Sequence, residues 1–498
     1  MATDDVLAAT DATGLAELVR KGDVAPADLV EAAIARAEAI NPQINAIVER
    51  LYDRAREQAA SVDRTLPFAG VPIAIKDLGL SLKGTPIHSG SAMPPRTGDG
   101  NSRIVEDYLS AGFIPVATSM TPEFGLRLVT ESERFGITRN PWDTSRTPGG
   151  SSGGSAALVA AGIVPVAHAS DGGGSIRVPS ACSGLVGMKP SRGRVSFSPG
   201  AVEPWHGFTV QHAVTRSVRD SAAMLDLVSS HDPLSLYAAP APKGPFAQAA
   251  QSQQKGMRIA VYRETPLGLP VSDETWTALD EAARLARECG HTVEEIALPM
   301  LTRDFFADYA HVICASIAGE LREQAMRCGR SVHGDVERHV RVLGRMGEIL
   351  SAGEVYETLQ RLHQLSMQIL AATREYDAVL MPLIAEEPVV CGSMDPTGPD
   401  LVAQRMLDGL HLTRLLRLRP LLDKLLDQSF GFTHWPAIQN ATGQPSIALP
   451  VHVTANGLPL GIQAAGRIGG EEALFALAGQ METASGWLTR RAPLAMSA

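Results

Sequence analysis

The sequence predicts an α/β protein built as one compact body, and three observations carry that expectation. Short apolar runs alternate with stretches of helical periodicity along the 498 residues. No Gly/Ser linker, charge block or repeat period divides the chain, so one large domain with insertions fits better than several separate ones. A composition of 45% hydrophobic and 20% charged residues is that of an ordinary globular chain with a large buried core.

The elements follow in order. From Leu15 to Ile40, the positions Leu15, Leu18, Val19, Leu29, Ala33, Ile34 and Ala37 recur at three- and four-residue steps, interrupted at Gly22 to Pro26. Two short amphipathic helices are expected there. The apolar run Phe68 to Ile75, closed by Lys76-Asp77, and a second run, Phe113 to Ala117, read as strands, with a helical pattern at Ile104 to Ala111 between them. Between Thr138 and Arg194 a turn-rich approach, Asn140 to Pro148, enters Gly149-Gly-Ser-Ser-Gly-Gly-Ser155, and a second cluster follows at Asp171-Gly-Gly-Gly-Ser175. Farther on, Thr275 to Cys289 and Val355 to Arg374 are helical in pattern, and Met257 to Tyr262 and Ala378 to Leu383 are apolar runs. The end, Gln444 to Pro450 and then Gly457 to Gln463, reads as a hairpin returning to the sheet, followed by a helix from Glu471 to Glu482. Within a single domain of 1–498 this gives N-terminal helices over about 10–65, a core over about 66–230, a variable, substrate-facing region over about 231–430 and the return to the sheet over about 431–490.

A net charge of -10 and a pI near 5.7 offer no basic surface for phosphate backbones, so nucleic acid is not an expected partner. Cys182, Cys289, Cys314, Cys328 and Cys391 are odd in number, scattered and without a C-x-x-C pair, which argues against a disulfide framework or a thiolate metal site and fits a reducing cytoplasm. Met1 to Asp5 carries two acids and no basic leader, and no window reaches the roughly 18 apolar residues of a spanning helix. Neither export nor membrane insertion is expected.

The chemistry concentrates in the two Gly/Ser clusters. A serine hydroxyl is a poor nucleophile near neutral pH and needs a base for its proton and donors for the developing oxyanion. Three glycines before Ser175 leave the backbone free to turn several N–H groups toward one point, which makes 172–175 a candidate oxyanion hole; the plain alternative is a flexible Gly/Ser turn. Ser151 lies 24 positions upstream, and Lys76 ends an apolar strand before it. Lysine is a base only when neutral, and moving its pKa from about 10.4 toward 7 takes burial worth about 4 to 5 kcal/mol. The plain alternative for Lys76 is a solvated strand end.

Rival assignments were open on the same residues. Gly149-Gly-Ser-Ser-Gly153 matches the G-x-S-x-G elbow with Ser151 as nucleophile, but the approach through Pro141, Asp143, Thr144, Ser145 and Pro148 is a loop, not the strand an elbow needs. A phosphate loop fails for want of Gly-Lys-Ser/Thr. The 13 histidines show no H-E-x-x-H, and His168, seven residues before Ser175, reads as a packed core histidine rather than a metal ligand or triad base. Cys182 and Cys314 read as core residues, with pocket lining as the alternative.

Gly149 to Ser155, Asp171-Gly-Gly-Gly-Ser-Ile-Arg-Val-Pro-Ser180 and Gly184-Leu-Val-Gly-Met-Lys-Pro190 together resemble the amidase signature family, as do Gly70-Val-Pro-Ile-Ala-Ile-Lys-Asp77, Thr121-Pro-Glu-Phe-Gly125, Arg139-Asn-Pro-Trp142 and the Gly457 to Gln463 tail. The resemblance spans roughly residues 10 to 490. It implies a large, mixed, twisted β-sheet covered by helices on both faces, in a single domain with a helical insertion. It also implies an amide hydrolase whose catalytic lysine is Lys76, whose bridging serine after a cis peptide is Ser151 and whose nucleophile is Ser175. Oxyanion donors would be the N–H groups of Gly172, Gly173, Gly174 and Ser175, with Asp171 and Arg177 bracing the loop. No cofactor or metal is implied. Two departures stand out: Gly172 replaces a larger apolar residue of many relatives, and Ser170 a frequent threonine.

Within the family, Pro165 to Asp171 and Arg139 to Trp142 most resemble 6-aminohexanoate-cyclic-dimer hydrolases and related bacterial amidases. The implied substrate is a small uncharged amide, cyclic or linear, with aryl acylamides and carbamates (urethanes) as alternatives. A reading of another class is the amidase subunit of a tRNA-dependent amidotransferase, which needs partner subunits, and a blander one is a non-catalytic binding relative. A homodimer is left open.

Overall fold

The computed structural model describes residues 3–201, 203–410 and 412–496, so Met1, Ala2 and the last two residues of the expected 1–498 span lie outside the described residues. The two opening helices are α1 (Ala12–Lys21) and α2 (Pro26–Ile44). Asp11 caps the first by accepting from the Gly14 amide at 3.0 Å, Gly22 ends it with φ 81°, and Pro26 starts the second, which is why the apolar period breaks between them. A helix at Thr3–Ala9 precedes both.

Eleven strands form one mixed sheet. In chain order they are β1 (Ile47–Arg50), β2 (Pro72–Lys76), β3 (Ile114–Ser119), β4 (Val166–Asp171), β5 (Val186–Lys189), β6 (Val210–Thr215), β7 (Arg258–Tyr262), β8 (Thr292–Ile296), β9 (Ala378–Pro382), β10 (Ser446–Val453) and β11 (Pro459–Gly466). Across the sheet the order is β1-β3-β2-β4-β6-β5-β10-β11-β9-β7-β8. The strand β2 lies between β3 and β4 and runs parallel to both. Its five residues are all buried, as a parallel strand covered on both faces requires. The pair β10 and β11 is the expected antiparallel hairpin, with the closing helix Glu471–Ser485 packed against it.

The stretch 231–430 supplies three strands, β7 to β9, as well as long helices. Two of them are α3 (Asp273–Glu288) and α4 (Arg303–Cys328). That region therefore extends the sheet at one edge in addition to carrying helices. Among the described residues no helix is long and apolar enough to cross a membrane.

What places the site is the register of the central parallel strands. Ile73 faces Val166 and Ala74 faces Ala167, so Lys76 and Ser170 reach the same C-terminal edge of the sheet, where α/β folds bind ligands. Ile73 is fully buried in the main core, and Ile73→Ala should lower unfolding free energy by about 2–5 kcal/mol, measured by chemical denaturation.

Candidate active site

Lys76 ends β2 with no exposed surface. Its Nζ donates to Ser151 Oγ at 2.8 Å and to Ser170 Oγ at 3.0 Å. Burial pulls its pKa down to about 7, against the opposing pull of the Asp171 carboxylate. Near neutral pH a large share of this amine is uncharged, so it can take a proton across the short contact to Ser151.

Ser151 follows a cis peptide from Gly150, as the resemblance implied. The loop it sits on is held closely: a β-carbon on Gly150 would lie 2.7 Å from the Val129 backbone nitrogen, which leaves room for glycine alone. Gly125, at the end of the Thr121 to Gly125 block, has its own Cβ direction 3.1 Å from Ser151 Oγ, so this block closes over the hydroxyl. The next residue, Ser152, ties the loop to the neighbouring strand, donating its amide to the Ser175 carbonyl at 3.3 Å and its hydroxyl to the Ser170 carbonyl at 3.3 Å.

Asp171 ends β4 and anchors the turn that carries Ser175. Arg177 binds it in two-pronged fashion, Nε to Oδ2 at 2.9 Å and Nη2 to Oδ1 at 3.0 Å, and both side chains are fully buried. Burial pushes the carboxyl upward, but the Arg177 guanidinium outweighs it and holds Asp171 well below the usual carboxylate range. The same carboxylate accepts from the Gly174 amide at 2.7 Å and the Ile176 amide at 3.2 Å. This corrects one expectation: the Gly174 N–H is spent on Asp171 and is not free for an oxyanion. Among the described residues, the amides of Gly172, Gly173 and Ser175 have no acceptor.

Ser175 sits in the turn two residues before the short helix Arg177–Ser183, 5% exposed. Among the described residues its hydroxyl makes no hydrogen bond, to Ser151 or any other group, and it is not among the buried polar atoms without a partner. The hydroxyl therefore keeps some accessible surface, and the Ser175 carbonyl is tied to the loop of Ser151 by the Ser152 amide at 3.3 Å.

A family model described as amidase matches residues 28–475. The chain belongs to the amidase signature family. It is 33% identical over 494 residues to the 6-aminohexanoate-cyclic-dimer hydrolase of Pseudomonas sp. (strain NK87), covering 97% of this chain and 96% of that one. The solved structure of a 6-aminohexanoate cyclic dimer hydrolase complexed with substrate superposes with a TM-score of 0.88 at 31% identity, over 98% of this chain and 99% of that chain. A bacterial aryl acylamidase of the same family gives 0.83 at 26% identity, over 96% and 97%. The chain is an amide-hydrolysing enzyme of this fold.

The amidase contains further site residues that sequence reading missed. Ser170 was noticed as a departure from threonine, not as a partner of the lysine. Asn440, from the helix Pro436–Thr442, donates to Asp171 Oδ1 at 2.9 Å and accepts from Arg177 Nη2 at 2.7 Å. Gln463, in the quoted tail on β11, accepts from Arg177 Nη1 at 2.7 Å. The tail motif was a usable signal for Gln463, whereas nothing local marks Asn440. His168 is buried against Gln211 and lowered to about 3 by burial and then by Lys76, so it stays neutral and contacts neither serine. Cys182 and Cys314 are fully buried, with burial raising both thiols, Cys314 to about 12.

Substituting Arg177→Met strands the Asp171 carboxylate in the interior. The expected loss is about 3–5 kcal/mol of stability, seen as a lower denaturation midpoint, together with loss of hydrolysis.

Proposed function

We propose that this amidase cleaves a small uncharged amide, of cyclic or linear 6-aminohexanoate type, through an acyl-enzyme on Ser175. The observation that carries the reading is the 2.8 Å contact between a fully buried Lys76 amine and Ser151 Oγ, on a loop whose Ser152 amide holds the Ser175 carbonyl. Neutral Lys76 accepts a proton from Ser151 as Ser151 accepts one from Ser175. Completing that relay takes a side-chain rotation that brings the two serine oxygens to about 2.8 Å. Ser175 Oγ then adds to the amide carbonyl, and the free amides of Gly172, Gly173 and Ser175 receive the oxyanion. As the C–N bond breaks, the proton held by Lys76 returns through Ser151 to the leaving nitrogen. Water attacks the acyl-enzyme by the same route in reverse, giving carboxylic acid and restoring the Ser175 hydroxyl. These steps use protein groups throughout.

The substrate class rests on the full-length similarity to the cyclic-dimer hydrolase. Likeness to an aryl acylamidase supports anilides as a second class, and carbamates can use the same chemistry. Assaying the purified chain alone on cyclic and linear oligoamides, anilides and carbamates tests the choice; turnover without partner subunits also separates this reading from an amidotransferase subunit.

Ser175→Ala should abolish turnover, with wild-type protein trapped as a sulfonyl or phosphonyl adduct at Ser175 by peptide mass spectrometry; full activity in the variant contradicts the reading. Because Lys76 must be neutral to act, kcat/KM should rise as pH increases through about 7. Ser170→Ala removes an acceptor that favours the ammonium form. Loss of a hydrogen bond worth about 1 kcal/mol should lower kcat/KM about fivefold and shift that rise to lower pH. A pH–rate series on both proteins reads both effects.

A further inference from the structure

We propose that Tyr309 is a positioning residue whose hydroxyl aims the Gly173 amide at the oxyanion; this rests on the acyl-enzyme reading of Ser175. Tyr309 lies on α4, far in sequence from the signature segment, and is fully buried. Its hydroxyl donates to the carbonyl oxygen of Gly172. The Gly172–Gly173 peptide is not among the cis bonds of the chain, so its carbonyl and its N–H point in opposite directions across one rigid plane. Fixing the Gly172 carbonyl toward α4 therefore fixes the Gly173 N–H away from it, on the side left open.

Two further contacts make this hydroxyl a rigid fixture. The Tyr309 ring stacks on Phe208 with centroids 5.5 Å apart and planes at 6°, and it leans on Phe305 at 5.8 Å. It also covers the peptide directly: a β-carbon on Gly173 would lie 3.9 Å from the ring and the hydroxyl. Burial raises the phenol far above its ordinary range, so it remains a donor throughout the working pH range.

The need for such a hold follows from the glycines. Neither Gly172 nor Gly173 has a side chain to resist rotation of the peptide between them, and among the described residues Gly173 makes no backbone hydrogen bond of its own. A flip of that plane would replace a donor by a carbonyl oxygen where negative charge develops. Asp171 restrains the next amide, Gly174, and the Tyr309 hydroxyl restrains this one.

The test is Tyr309→Phe, which keeps the ring and removes the donor. It should lower kcat about 10- to 100-fold while KM stays within about threefold, since the lost interaction belongs to the transition state. The pH dependence near 7 should not move, because Lys76 is untouched. A kcat within twofold of wild type, or a loss carried by KM alone, overturns the assignment. Should the phenylalanine variant fail to fold, 3-fluorotyrosine at 309, a stronger donor of nearly the same shape, should keep kcat at or above wild type; a lower kcat overturns it. Ser175→Ala is measured alongside. If that variant hydrolyses normally the acyl-enzyme reading has failed, and if it is inactive while Tyr309→Phe is unaffected only the role of Tyr309 has failed.

Discussion

The constraint on which the site depends is the removal of one amine from water. Lys76 at the end of a five-residue buried strand has its pKa brought from 10.5 to about 7, a difference of about 5 kcal/mol between its charged and neutral forms. The fold supplies that energy through burial: β3 and β4 flank β2, and apolar Ile73 and Ile75 precede the lysine. A nearby carboxylate works against the effect, since Asp171 favours the ammonium form. Arg177 counters that influence by closing on the same carboxylate with two hydrogen bonds. The buried ion pair thus has two jobs, shaping the turn before Ser175 and masking a charge that would otherwise protonate the base.

Much of this was legible in the chain. The apolar run closing at Lys76 and the first Gly/Ser cluster marked the lysine and Ser151 that the fold brings into contact, and the alternation of strands and helices marked the sheet. The local reasons hold at specific atoms: Gly22 and Pro26 break the opening helices, and Gly150 admits the Val129 backbone. Less legible was the bracing. Asn440 lies 269 positions from Asp171, Gln463 286 from Arg177 and Tyr309 137 from Gly172, and side chains that act across such separations leave no periodicity or spacing to read. The Gly174 amide was assigned to the oxyanion because glycine runs suggest free donors; the carboxylate three residues earlier takes it instead.

The departure at Gly172 has a local explanation. A β-carbon there would lie 2.9 Å from the Trp205 ring, so the indole occupies the space that a larger residue would fill. Three successive glycines are each met by a different neighbour, Trp205 at 172, Tyr309 at 173 and Pro436 at 174. The turn is therefore covered from segments outside the signature, and its shape depends on them.

The most direct measurement is titration of the Lys76 amine itself, by heteronuclear NMR of protein carrying labelled lysine, with Lys76→Met to assign the signal. A midpoint near 7 is the result this account predicts. A midpoint near the ordinary lysine value would mean that the amine is charged in the working range, and the proposed proton route would be wrong.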